Sequence, residues 1–285
     1  MRYGDAAVRI CPTLGFLEMP TAIIAAYTPR GFFIAADGTS RREDHGVYTV
    51  LTEDEQKVFR IVDERACFGF AVSGTALFTP DDDDADIIFD FRLEIPKAAN
   101  ALRTTVCSDA MDYCRRLAES VNEQLNRSVL RARQAGKQVS YPSDQGQFGD
   151  GTIALLFLFG FYSGMPCGVI IRFFHRSQQL ASPETVRRFV ENDQGISGSD
   201  AVSHLLYESN DPRFAQFRFP FTPRNATFEE WSRLAKNYVA ACASEHGRAA
   251  DPEITLGIGG YVHSAKITRR GGFEWIDRPR NLATD

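Results

Sequence analysis

The sequence lacks the signatures of several broad protein classes. Its six cysteines, Cys11, Cys67, Cys107, Cys114, Cys167 and Cys242, are scattered, with no CxxC pair and no histidine nearby. That spacing suits neither a zinc site nor a compact disulfide framework, so reduced cysteines in a cytoplasmic protein are expected. There is no excess of basic residues: the net charge is -5 and the pI about 5.6, which leaves no electrostatic footprint for nucleic acid. The first twenty residues contain Arg2, Asp5, Arg9 and Glu18 and lack the continuous apolar stretch of a secretory signal. The longest apolar run, IALLFLFGFYSGMPCGVIIRFF at 153–174, is broken by Gly160, Ser163, Gly164, Pro166 and Gly168. Those are turn residues, so a buried β-hairpin is expected and no membrane span. No glycine-rich nucleotide loop occurs. The acidic run Asp81–Asp84 with Asp86 lacks the spaced ligands and turn glycine of a calcium loop and reads as a solvated surface loop. Neither cofactor nor metal is expected.

What is present is ordinary for a globular chain, with 44% hydrophobic and 24% charged residues and 22 phenylalanines for a well-filled core. The length allows one large domain or two small ones; with no linker and no internal repeat, one domain is the simplest account. Apolar runs at Ala22–Tyr27 and Phe32–Ala36 flank Thr28-Pro29-Arg30-Gly31, a tight hairpin signal. A polar stretch, 38–46, follows. Strands are then expected at Gln56–Ile61 and Cys67–Ser73, the second apolar throughout. Residues 75–100 give no clear pattern. Met111, Cys114, Leu117, Val121, Leu125 and Val129 recur at helical spacing and predict a helix over Ser108–Ala135, closed by Gly136. A short helix is expected from about Gly198 or Ser199 through DAVSHLLYE. Thr227-Phe-Glu-Glu230 is a capping box opening a second long helix, terminated by Gly247. A last hairpin spans Ile258–Ile276 around Arg269-Arg270-Gly271-Gly272.

That order, and several local strings, resemble the proteasome β-subunit family and its bacterial relatives. TAIIAAYTPRGFFIAADGTSR, residues 21–41, is similar to the family's threonine-led hairpin ending in an Ala-Ala-Asp motif, here Ala35-Ala36-Asp37. Lys57-Val-Phe-Arg-Ile61 resembles its lysine before an apolar strand. Phe70-Ala-Val-Ser-Gly-Thr75 resembles its strand ending in an active-site glycine. Ser197-Gly198-Ser199 is similar to its Gly-Ser-Gly loop, and Ile258-Gly259-Gly260-Tyr261-Val262 to its late Ser-Gly-Gly turn. The region 75–150 departs most, with an acidic insertion near 78–95. The family's acidic residue before the late turn falls on Thr255 without a gap and on Asp251 with a shift. Met19-Pro20 stands where active relatives carry a glycine before the threonine.

The resemblance implies an α+β fold of the Ntn hydrolase type: a four-layer αββα sandwich of two stacked antiparallel sheets flanked by helices, over 21–285. Residues 1–20 would be a prosegment. It implies Thr21 as nucleophile once it is the first residue, with its own α-amine as base, a mechanism that needs no histidine. Asp37 and Lys57 would pair and tune that amine. Gly74 would offer its N–H to the oxyanion, and Ser197 would orient the amine or relay a proton. The substrate would be a peptide or amide bond. A homo-oligomer is implied, and ATP dependence would need a separate ATPase partner. Taken singly each residue also has a plain structural role: Thr21 opening a strand, Asp37 shaping a turn, Lys57 flanking a strand, Gly74 ending one, Ser197 capping a helix. A catalytically silent subunit that keeps its prosegment is the alternative. A third reading, Cys11 as nucleophile, has no matching downstream residues.

Overall fold

The computed structural model describes residues 21–44, 47–79, 86–139, 141, 151–176, 180–209 and 211–280. Residues 1–20, including Cys11, and the run Asp81–Asp84 lie outside the described residues. Along the chain come β1 (Ile23–Thr28), β2 (Gly31–Ala36), β3 (Ser40–Asp44), β4 (Val47–Thr52), β5 (Val58–Val62), β6 (Ala66–Gly74), β7 (Leu77–Phe78) and β8 (Phe89–Asp90). Then follow α1 (Phe91–Ala101), α2 (Ala110–Gln134), β9 (Thr152–Tyr162), β10 (Met165–Phe174), β11 (Ser182–Arg188) and β12 (Gln194–Ser197). The chain closes with α3 (Asp200–Tyr207), α4 (Phe228–Ala243), α5 (Glu245–Ala250), α6 (Pro252–Thr255), β13 (His263–Thr268) and β14 (Gly272–Asp277). It separates into two compact units, Met1–Val58 with Phe189–Asp285, and Phe59–Arg188.

The first unit is built on a five-stranded sheet in the order β12-β1-β2-β13-β14. Its neighbours all run antiparallel. The expected first hairpin is there, with Thr28 opposite Gly31 and only Pro29 and Arg30 between. Gly31 sits at φ +133, where an added Cβ would lie 2.3 Å from the Ile267 carbonyl oxygen on β13, so glycine is required. One face of the sheet, Ala22, Ile24, Ala26, Phe33, Ala35 and Ile196, packs against the apolar stripes of α3 and α4, including Val202, Trp231, Tyr238 and Cys242. The opposite-facing Ile23, Ala25, Phe32, Ile34 and Ala36 are equally buried, which is why these strands are apolar throughout rather than alternating.

α4 starts at the expected capping box: Thr227 Oγ1 accepts from Glu230 N at 3.2 Å, and Glu230 Oε2 accepts from Thr227 N at 2.7 Å. Its end differs from expectation. It stops at Ala243 on Ser244, and Gly247 lies inside α5, where a Cβ would meet the Ala241 carbonyl at 2.1 Å. This glycine serves close helix approach, not termination.

The second unit carries the sheet β11-β10-β9-β6-β5. The 153–174 run forms the β9–β10 hairpin, turning at Ser163-Gly164. α2 begins on Asp109, whose carboxylate accepts from Asp112 N at 2.8 Å, and lays Cys114, Leu117, Val121, Leu125 and Val129 into the core as predicted. α1 has no counterpart among the expected elements: it carries Pro96 inside it, yet Phe91, Ile95, Ala98 and Ala99 make a buried stripe on the same core. Both units thus combine an antiparallel sheet with amphipathic helices, the α+β class expected. Within 38–46 the chain adds β3, paired with β4 as a separate ribbon, rather than a plain polar stretch.

Candidate functional site

Thr21, Asp37 and Lys57 lie at the end of the β1–β2 hairpin. The ladder pairs Ile23 with Ala36, so the next residues outward, Ala22 and Asp37, face each other where the strands end. Asp37 N donates to Ala22 O at 3.1 Å, and Ala22 N donates back to Asp37 Oδ1 at 2.9 Å. The residue following Thr21 is therefore held through both its backbone groups. Thr21 itself is buried.

Asp37 is fully buried and heavily coordinated. Its Oδ2 accepts from Thr39 N at 3.2 Å and Gly259 N at 3.3 Å, and Lys57 Nζ lies 3.3 and 3.2 Å from its two oxygens. The Lys57 side chain is only 16% exposed, so the pair is largely desolvated. Burial pushes the Asp37 carboxyl above its ordinary range, while the Lys57 charge and the Ala22 and Gly259 N–H groups pull it back. The backbone around the pair is cross-tied. Gly38 N donates to Gly259 O at 3.2 Å, Glu55 N to Gly38 O at 2.8 Å, and Tyr261 N to Glu53 O at 2.7 Å. Gly38 is glycine because a Cβ there would meet Tyr261 O at 2.5 Å. The loop that delivers Lys57 is thus clamped between two turns of its own unit.

Ser197 ends β12 opposite Ile23, half-buried. Beyond it Gly198, at φ +132, takes the chain out of the ladder and into Ser199. Ser199 is the cap of α3: its Oγ accepts from Val202 N at 3.1 Å and donates to Asp251 Oδ2 at 2.6 Å. The capping role considered for Ser197 therefore belongs to Ser199. Asp251, one of the two positions open for an acidic residue, is thus the carboxylate that meets Ser199. Thr255 instead donates its hydroxyl to the Asp251 carbonyl at 2.6 Å and braces it. Tyr238 of α4 donates to Ser199 O at 3.0 Å from a fully buried position.

Ser199 and Asp251 both carry local sequence signals. Serine directly before a helical pattern, and Asp-Pro opening a helix, are both start signals. Gly74 ends β6 at φ +90, opposite Ala154, and belongs to the second unit. Among the described residues no group of three or more His, Cys, Asp or Glu side chains is placed to hold a metal. No described helix is long and apolar enough to cross a membrane.

No protein-family model matches the chain, and no curated protein matches it. Among solved structures, a Gly-1 mutant of Anbu from Hyphomicrobium sp. strain MC1 is similar at a TM-score of 0.48 and 10% identity, over 92% of this chain and 88% of that one. A likeness at that level decides neither fold nor activity.

Proposed function

We propose that the chain is a proteasome-like N-terminal-nucleophile threonine hydrolase, cleaving amide or peptide bonds once Thr21 is its first residue. The observation that carries the reading is the buried Asp37–Lys57 pair clasping the backbone that follows Thr21. A desolvated ammonium–carboxylate pair contributes little net stability, and pairs of this kind recur where chemistry needs a placed charge.

In this reading Thr21 Oγ1 attacks the scissile carbonyl carbon and its proton passes to the Thr21 α-amine. That amine, with an ordinary pKa of about 7.7–8.0, is roughly a fifth to a third neutral near physiological pH. The proton then moves to the leaving amine, and an acyl ester on Thr21 is hydrolysed by water. Lys57 keeps the amine neutral by its charge, Asp37 aims Lys57, and the Gly74 N–H receives the oxyanion. The amine-orienting role assigned to Ser197 passes more naturally to Ser199, whose hydroxyl already has a carboxylate partner in Asp251. The two sheets would stack as the αββα sandwich of a single domain over 21–285, in a cytoplasmic homo-oligomer served, where ATP is needed, by a separate ATPase.

The silent-subunit reading is favoured by one feature: Pro20 acylates the Thr21 nitrogen, which has no basic lone pair until that bond is cut. Intact mass with N-terminal sequencing of the purified protein separates the two. A chain starting at Thr21 supports the hydrolase. A chain that retains Pro20 and gives no peptidase or amidase turnover sinks it.

A further inference from the structure

Three sulfurs meet in the core of the second unit. Cys114 Sγ on α2 lies 3.7 Å from Cys167 Sγ on β10, and Met111 Sδ, one helical turn before Cys114, lies 3.3 Å from Cys167 Sγ. Both thiols are buried, and neither is part of a disulfide. We propose that Cys114 and Cys167 form a peroxide-oxidisable dithiol, a modification site that closes reversibly to a disulfide pinning α2 to β10.

The geometry suits this chemistry. A disulfide needs sulfurs about 2.05 Å apart, so the gap must close by about 1.7 Å, within the swing of a cysteine about χ1. The cover over this part of the core is partial: Met165, two residues before Cys167, is exposed, and Met111, against Cys167, is half-buried. The two cysteines are unequal. The thiol hydrogen bond from Cys114, with the charge of Arg188 beyond it, holds Cys167 below its ordinary pKa against burial and Asp109. The same hydrogen bond, with burial, raises Cys114. Cys167 is therefore the nucleophile and Cys114 the resolving thiol.

The atoms balance with hydrogen peroxide as oxidant. The Cys167 thiolate attacks one peroxide oxygen, the O–O bond breaks, and with one proton it yields Cys167 sulfenic acid and water. The Cys114 thiol then attacks the sulfenic sulfur, the S–O bond breaks, and a second water leaves with the Cys114 proton. Two sulfurs are oxidised by one electron each, and one peroxide is reduced to two waters. A dithiol such as dithiothreitol reverses the step.

The experiment is peroxide titration of the folded full chain, followed by non-reducing peptide mapping. The expected product is one linked pair containing Cys114 and Cys167, lighter by two hydrogens and released by dithiothreitol. Cys114→Ser is expected to leave Cys167 carrying added oxygen, whereas Cys167→Ser leaves Cys114 a free thiol. The wild-type map stands by itself if either variant fails to fold. Three outcomes overturn the proposal: no linked pair, a pair that uses Cys67 or Cys107 instead, or oxygen added first to Cys114.

Discussion

Removing the Lys57 ammonium tests the candidate site at its most constrained point. Lys57→Met keeps a stem of similar length and deletes the charge that faces Asp37 at 3.2 Å. At an effective dielectric of 20, that attraction is roughly 5 kcal/mol. The buried Asp37 carboxylate cannot be left unpaired at this cost, and it has an escape: it takes up a proton. The penalty is then capped by the work of protonating a carboxyl of ordinary pKa about 3.9 at pH 7, about 4 kcal/mol. The expected loss of stability is therefore about 3–4 kcal/mol at neutral pH.

The sign of the pH dependence follows. In the variant, folding raises the Asp37 pKa, so the folded state binds the proton more tightly than the unfolded chain. Stability then falls as pH rises between the two values. At pH 5 the protonation work is only about 1.5 kcal/mol, so the gap between wild type and variant narrows by more than half. Wild-type Asp37 is also raised, but the Lys57 charge restrains it, so its own stability changes less over this range. Urea unfolding of both proteins at pH 7 and pH 5 reads the difference. Asp37→Asn combined with Lys57→Met is expected to recover most of the loss. A cost below about 1 kcal/mol at pH 7, or a gap that does not narrow on acidification, refutes the view that Lys57 is the charge compensating Asp37.

Four other outcomes are expected. Thr21→Ala folds as wild type by circular dichroism but abolishes hydrolysis and any release of a chain starting at position 21. Leu117→Ala, which hollows the fully buried centre of the α2 stripe, lowers stability by about 2–5 kcal/mol in urea unfolding. Gly198→Ala strains a backbone at φ +132 and thrusts a Cβ to 2.7 Å from the Tyr238 hydroxyl oxygen; melting is expected to report a loss of about 1–3 kcal/mol, partly relieved by Tyr238→Phe. Partial burial would raise Asp277, but hydrogen bonds from Lys236, Ser232 and Ser264 outweigh it and hold its carboxyl below the usual range. Its stabilisation is thus present above about pH 4 and lost as pH falls through its folded value, so Asp277→Asn is expected to flatten the acid limb of the stability curve.

Hairpins and long helices were legible because their signals are local. Pro29-Arg30 between apolar runs, the Thr227–Glu230 box and the six-residue stripe of α2 each state their structure within a few turns of chain. What escaped depends on tertiary partners. β11, reading SPETVRR, is a polar edge strand whose pairing comes wholly from β10. β12 is four residues long, and its strand character comes from β1. α1 hid behind Pro96, which costs one internal hydrogen bond that the buried Phe91–Ala99 stripe offsets. In the site, Asp37 and Lys57 were visible as members of a motif. That the carboxylate also takes the Gly259 N–H, 222 residues away, is visible only in the fold.

That Ser199 rather than Ser197 caps α3 has a physical cause. Ser197 is still within the ladder, facing Ile23 across the β12–β1 pair, where pairing dictates its side-chain direction. At Gly198 the backbone turns to φ +132 and leaves the ladder. Ser199, first beyond the turn, is free to spend one hydroxyl twice, accepting from Val202 N to start α3 and donating to Asp251. That double use couples the start of α3 to the placement of the Ser199–Asp251 pair. Ser199→Ala therefore removes a cap and a carboxylate partner together, whereas Ser199→Asp keeps a cap but sets two carboxylates against each other. If the pair matters only for folding, both variants lose stability and retain turnover per folded molecule. If Ser199 orients the Thr21 amine, turnover falls further than the folded fraction and its pH profile shifts.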